Sequence, residues 1–348
     1  MRNIRVAVAA PDLTFTRKGG LRTQVERTCE ELSKIGVDVH FFTGINFESL
    51  KSVDLCHIFS MNSPTYFKAL CLKKLNVPIV YSSVMWRESS PRIIRAALEV
   101  ERLLPYKIFN DVVSCRDLSL ISDVVLPNTQ QEADWLVSAI GVDRSKIAVV
   151  PNGADDHFLE STFSNNDFPE YDRDFVFSSC VIYKRKNLIR LAKACKSLGY
   201  PLVLAGPIED ELVKSKILSL CDDHFKVTFL GSLDNKSHFM GYLYWRARVF
   251  ALPSFYETPG ISALESGLRG GNVVVTKVGG AQEYFGDLAR YVDPYSQDEI
   301  TREIRSAWNN PLDDNEKERV SSHIRRNFSW AKVAEETKSI YMEVIGAS

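Results

Sequence analysis

Short β-branched and apolar runs recur at residues 4–9, 39–42, 55–59, 79–83, 124–127 and 147–150, each followed by a stretch of helical length. That alternation predicts a parallel sheet covered by helices. In the first such helix, Leu21, Val25, Leu32 and Ile35 share one face and Gly36 follows as a stop signal. Residues 160–172 break the pattern, being polar and rich in loop formers, and read as a linker. The grammar then restarts, with strand candidates at 175–179, 202–205, 227–230, 249–252, 273–276 and 291–292. Helical segments at 296–308, 316–327 and 330–345 close the chain. The reading is α/β throughout: two Rossmann-like, doubly wound domains facing across a cleft, with ligand sites at the carboxyl ends of strands.

Composition narrows the function classes. At 348 residues, 45% hydrophobic and 25% charged, the chain has ordinary globular composition and enough length for two cores. Residues 1–167 hold 19 basic and 20 acidic side chains and the remainder 24 of each, so neither half has the positive excess of a duplex-binding protein. No run approaches the roughly 20 apolar residues that span a bilayer, and no secretory leader is evident at the start. Seven cysteines without a C-x-x-C pair predict free thiols in a reducing cytoplasm, and the six histidines show no metal-ligand spacing. His57, inside a strand candidate, is expected to be a packed residue and not a general base.

The segment 251–265, ALPSFYETPGISALE, carries the chemistry. A buried strand is expected to end at Pro253 and a helix to begin near Pro259 with Thr258 as its N-cap. The free N–H groups and positive dipole end of such a helix suit a diphosphate. Glu257 precedes that point, and Glu265 lies about 10 Å further along if the intervening residues are helical. A sugar–diphosphate–ribose ligand would meet a carboxylate at each hydroxylated end. Two glutamates eight apart also suit a helix-capping charge and a solvated surface residue; the preceding strand, the Pro-Gly helix start and the glycine turn at 279–280 favour the ligand reading.

With these residues in view, the sequence resembles the retaining GT-B glycosyltransferases, glycosyltransferase family 4 (group 1), over nearly its whole length. The marks are Gly19-Gly20, LPN at 126–128, VPNG at 150–153, RKN at 185–187, FLG at 229–231, the Glu257–Glu265 pair, GGAQE at 279–283 and FSW at 328–330. The resemblance implies an acceptor-binding domain over 1–167, a nucleotide-sugar donor domain over 168–329, and a final helix, 330–348, packed back on the first. It implies a nucleotide-diphosphate-sugar donor, a glycan or lipid-linked acceptor in surface polysaccharide biosynthesis, no cofactor or metal, and retention at the anomeric carbon. A cytoplasmic location follows, with room for peripheral contact with the inner membrane surface through residues 91–107, though an ordinary amphipathic helix on a sheet is the preferred reading there.

Carried over residue by residue, the resemblance puts Glu257 on the donor sugar hydroxyls and Glu265 on the ribose. Pro259, Gly260 and Ile261 would contact the diphosphate and sugar. Lys186, supported by Arg185, would neutralise the departing diphosphate, a role that general electrostatics also supports. Gly19 and Gly20 would let a backbone loop approach the reacting centre, and Gly231 to Leu233 would line the base. Two marks are missing: Val181 stands where many members have arginine, and no histidine follows the fourth strand. Trp86, Arg87 or Glu88 are the acceptor-side candidates in its place. The alternatives are a catalytically inactive, two-lobed nucleotide-sugar binding protein and a nicotinamide-dependent dehydrogenase. The latter needs a G-x-G-x-x-G turn, which the first strand lacks.

Overall fold

The alternation along the chain becomes two parallel sheets in two compact units, residues 1–152 with 330–348 and residues 153–329. The computed structural model describes residues 4–17, 19–42, 52–85, 89–160, 162–258 and 260–347. In the first unit the strands are β1 (Arg5–Ala9), β2 (Asp38–Phe41), β3 (Leu55–Phe59), β4 (Ile79–Ser82) and β5 (Val124–Leu126), ordered β2-β1-β3-β4-β5. In the second they are β6 (Val176–Ser179), β7 (Leu202–Ala205), β8 (Val227–Gly231), β9 (Val249–Leu252), β10 (Val273–Thr276) and β11 (Arg290–Val292), ordered β11-β10-β9-β6-β7-β8. Every pairing in both sheets is parallel.

Parallel strands covered on both faces need apolar residues at every position, not alternate ones. β9 shows this: Phe250 and Leu252 enter one core cluster with Phe177 and Val275, while Val249 and Ala251 enter the opposite one with Val176 and Val274. Helix Gly20–Lys34 buries Val25 and Leu32 as its spacing predicts, and Gly36 follows at φ +84° with open space around it. All seven cysteines are free.

Two expectations change. Residues 147–150 form no regular strand: Ile147 makes one isolated bridge to Val125, and the segment runs on beside β5 through Ala148 N–H to the Val125 carbonyl (3.1 Å) and Val150 N–H to the Pro127 carbonyl (3.0 Å). The first unit ends at Asn152, ahead of the boundary at 167 read from polarity. Aromatic residues scattered in the polar stretch explain the difference. Phe163 lies against His238 and Tyr242, and Phe168 against Phe239 and Tyr242, so this segment is bound to the second unit.

The last helix, Trp330–Ala347, belongs to the first unit and is tied there by a buried polar contact. His57 Nδ1 is 2.6 Å from the Tyr341 hydroxyl and Nε2 is 2.8 Å from Ser82 Oγ. Burial pushes the imidazole down to about 3 from its ordinary 6.5. A group held neutral in the fold costs stability wherever the unfolded chain would protonate it, so this part of the stability is present above 6.5 and declines as pH falls toward about 3. Thermal melts should show the wild type losing more Tm over that interval than His57→Gln, which has no such proton to exclude.

Candidate active site

In an open parallel sheet, ligands bind beyond the carboxyl ends of the strands where the strand order reverses. In the second unit this point lies between β6 and β9: the chain runs outward from β6 to β7 and β8 on one side, and from β9 to β10 and β11 on the other. The loops leaving β6 and β9 therefore diverge from a common edge. One carries Arg185 and Lys186, the other Glu257.

These loops are stitched together. Asn187, in the left-handed region at φ +58°, donates from Nδ2 to the carbonyls of Pro253 (2.9 Å) and Pro294 (2.8 Å). The Phe255 N–H donates to the Arg185 carbonyl at 2.9 Å. Lys186 Nζ then lies 2.5 Å from Glu257 Oε1, both side chains being buried, and Arg185 Nη1 lies 3.5 Å from the same oxygen while donating to the Tyr256 carbonyl at 2.8 Å. The Arg185 Nε also donates to the Tyr183 hydroxyl. Burial alone would push the Glu257 carboxyl up, but Lys186 and then Arg185 more than offset it, holding Glu257 below the usual carboxylate range. Two cations facing one carboxylate leave a local excess of positive charge, the condition for receiving a phosphate.

The Glu257 backbone is clasped by the turn after β10. Its N–H donates to the Val278 carbonyl (3.1 Å) and its carbonyl accepts from Gly280 N–H (2.8 Å). Gly279 lies between them at φ +101°, where a Cβ would stand 2.0 Å from the Glu257 carbonyl oxygen.

Helix Ile261–Leu268 starts later than expected. Its N-cap is Gly260, not Thr258: the chain turns off β9 there at φ +78°, a left-handed conformation that glycine adopts without strain. Ile261 is the first helical residue; Pro259 lies outside the described residues. Glu265 is buried on this helix and held at both oxygens, by Asn235 Nδ2 on Oε1 and the Tyr244 hydroxyl on Oε2, each at 2.6 Å. Burial pushes its carboxyl up to about 7. Gly231 ends β8 at φ +68° and its carbonyl accepts from Gly206 N–H at 2.7 Å; Leu233 packs on the core beside it, two residues before Asn235. Thus Lys186, Arg185, Glu257 and Gly260 are brought together, and Glu265 is joined to the loop of Gly231 and Leu233. Sequence reasoning missed Asn235, Tyr244 and the clasp role of Gly279. The glycine pair at 279–280 was its only signal, since nothing local marks a tyrosine 21 residues upstream as a carboxylate's partner.

In the first unit, Gly19 caps helix Gly20–Lys34 and its carbonyl accepts from Thr23 N–H at 3.1 Å. Its φ of 168° is extended backbone open to any residue. At the carboxyl ends of β4 and β5, buried Glu132 accepts from Ser83 Oγ (2.6 Å) and Met85 N–H (2.7 Å) on one oxygen and from Asn128 N–H (2.9 Å) on the other. These bonds hold Val84 at φ +45°, a strained conformation for a β-branched residue. Trp86, Arg87 and Glu88 lie outside the described residues. Among the described residues no group of three or more His, Cys, Asp or Glu could hold a metal ion, and no helix is long and apolar enough to cross a membrane.

Residues 161–326 match the family model described as glycosyl transferases group 1. This segment is a group 1 glycosyltransferase domain. Among curated proteins, the chain is 29% identical over 168 residues to O-antigen chain mannosyltransferase B of Escherichia coli, covering 45% of this chain and 42% of that protein. It is 24% identical over 241 residues to mannosylfructose-phosphate synthase of Agrobacterium fabrum, covering 62% and 51%. The chain thus spans about half or less of these relatives. Among solved structures, sucrose-phosphate synthase from Thermosynechococcus elongatus superposes with a TM-score of 0.72 at 18% identity, over 99% of this chain and 100% of that one. Anabaena HepE in complex with UDP and glucose does so with 0.73 at 15%, over 98% and 100%. The fold around the glycosyltransferase domain is therefore the expected GT-B pair of Rossmann-like units.

Proposed function

We propose that the protein is a retaining, metal-independent glycosyltransferase that moves a hexose from a nucleotide-diphosphate-sugar to a glycan or lipid-linked acceptor in surface polysaccharide biosynthesis. The observation that carries this reading is the Lys186–Glu257 pair at the strand-order reversal of a group 1 glycosyltransferase domain. Glu257 receives the sugar hydroxyls, the backbone N–H groups of Gly260 and Ile261 receive diphosphate oxygens, and Glu265 receives the ribose. As the bond from the anomeric carbon to phosphate oxygen breaks, negative charge collects on the leaving diphosphate. Lys186 and Arg185 stabilise that charge more than the ground state, taking the place a divalent cation would occupy. The acceptor oxygen bonds the anomeric carbon on the face being vacated, and its proton passes to the leaving phosphate oxygen, so no protein base is needed.

We assign acceptor binding to the first unit through the segment of Trp86, Arg87 and Glu88, and the close approach of a backbone loop to the donor at the reacting centre to Gly19 and Gly20. Helix Pro91–Arg102 exposes Ile93, Val100 and the adjoining Leu103 beside Arg92, Arg95 and Arg102, which supports peripheral contact with the cytoplasmic face of a membrane. Thermal-shift measurement against UDP, GDP, ADP, dTDP and CMP tests the donor reading. One diphosphate should raise Tm, by the equivalent of about 2.7 kcal/mol at a hundred times its dissociation constant, and CMP should not. No shift with any of them contradicts the reading, and binding without turnover of any nucleotide-sugar would favour the inactive binding protein.

A further inference from the structure

Behind Glu265 stands a chain of polar groups that the mechanism above does not use. Asn235 donates from its side chain to Glu265 Oε1 at 2.6 Å, and its backbone carbonyl lies 3.0 Å from His157 Nε2. The other ring nitrogen, Nδ1, lies 3.2 Å from Asp155 Oδ1. A carbonyl only accepts, so Nε2 carries a proton; a carboxylate facing Nδ1 favours a proton there as well. Both ring nitrogens thus face acceptors, which is the environment of an imidazolium. Asp155 and His157 come from the chain entering the second unit, Asn235 from the loop after β8, and Glu265 from helix Ile261–Leu268.

We propose that Asp155, His157 and Asn235 are positioning residues that hold the Glu265 carboxylate, through the Asn235 amide, in the orientation that receives both ribose hydroxyls of a nucleoside diphosphate. This rests on the donor reading above and deepens it. A carboxylate has about four lone-pair directions. Asn235 and Tyr244 take one on each oxygen, leaving one on each for the two neighbouring hydroxyls of a ribose. Without Asn235, Oε1 has lost the bond that fixes the plane of the carboxylate, and the diol contact is lost with it.

The charges around the site act in the same sense. Burial pushes Glu265 up to about 7; Asp155 pushes it further and the His157 imidazolium pulls it down. Burial lowers His157, but its bond to Asp155 more than offsets this and raises it. Tyr244, which donates to Glu265 Oε2, stays protonated because burial raises it. Diol binding therefore strengthens as pH rises through about 7, and removing the imidazolium moves that midpoint upward.

The test is calorimetric titration of the full chain with UDP and GDP, each against its 2′,3′-dideoxy form. Wild type should bind the ribose form of its preferred nucleotide about tenfold or more tighter than the dideoxy form. Asn235→Ala should bind the dideoxy form as wild type does while its ribose advantage falls below about twofold. A folded Asn235→Ala that keeps the wild-type ratio overturns the proposal, as does equal weakening toward both forms, which marks a merely structural role. Should Asn235→Ala fail to fold, His157→Gln decides. It keeps a donor but no charge, so its ratio should fall near pH 7 and recover at higher pH; an unchanged ratio overturns the proposal. Wild type that binds neither nucleotide overturns the donor reading itself, whereas wild type that binds both forms equally overturns only the ribose contact and this proposal.

Discussion

Lys186→Ala lowers kcat by about 10²–10³ while the protein stays folded, the loss expected when one preorganised charge is removed from a leaving group. Folding survives because Arg185, 3.5 Å from Glu257 Oε1, still faces the buried carboxylate. The reverse change is not symmetrical. Glu257→Ala leaves the buried Lys186 and the half-buried Arg185 without their carboxylate, and breaking a buried pair from one side costs about 3–5 kcal/mol. Glu257→Gln is therefore the informative variant. It fills the same volume, keeps an oxygen for Lys186, and should lower turnover of the nucleotide-sugar while leaving nucleoside diphosphate affinity near wild type, since the sugar and not the nucleotide is its partner. Steady-state kinetics with melting curves for both variants separate loss of chemistry from loss of fold.

Gly279→Ala is expected to have a large effect on stability. The new Cβ would stand 2.0 Å from the Glu257 carbonyl oxygen at a φ of +101°, so the clasp must open. The expected cost is about 3 kcal/mol or more, seen as a lower Tm together with lost turnover, because the same movement displaces Glu257 from Lys186. Gly36→Ala is the control. Gly36 also has positive φ, +84°, but nothing lies within 4 Å of its Cβ position, so only the backbone cost of about 1 kcal/mol applies and turnover stays unchanged. Equal effects of the two substitutions would mean that the approach of Gly279 to Glu257 does not matter.

What the sequence disclosed follows from which forces act locally. Strands such as Leu55–Phe59 and Val249–Leu252 were legible because burial on both faces demands an unbroken apolar run. Residues 147–150 have the same composition and lie along β5, yet they give one bridge and two backbone hydrogen bonds and no regular strand, since the three-residue β5 is the edge they pair with. The stretch around Phe163 and Phe168 reads as a linker by its polarity, yet a few rings packed on Tyr242 assign it to the second unit. At the site, Glu257 and Lys186 stood out through their motifs. Their contact across 71 residues is a consequence of β6 and β9 being neighbours, which no local pattern encodes. The Gly260 cap was obscured because Thr258 and Pro259 suit a helix start; the left-handed turn at residue 260, φ +78°, invisible in sequence, favours glycine instead.

The most direct test of a pyrophosphate grip in the second unit compares the nucleoside diphosphate that gives the largest thermal shift with its parent nucleoside, titrated into wild type and Lys186→Ala. Wild type should prefer the diphosphate by about a hundredfold, and the variant's preference should fall to about tenfold, the loss of one charge-assisted hydrogen bond. A folded Lys186→Ala protein that retains the wild-type preference would contradict the account.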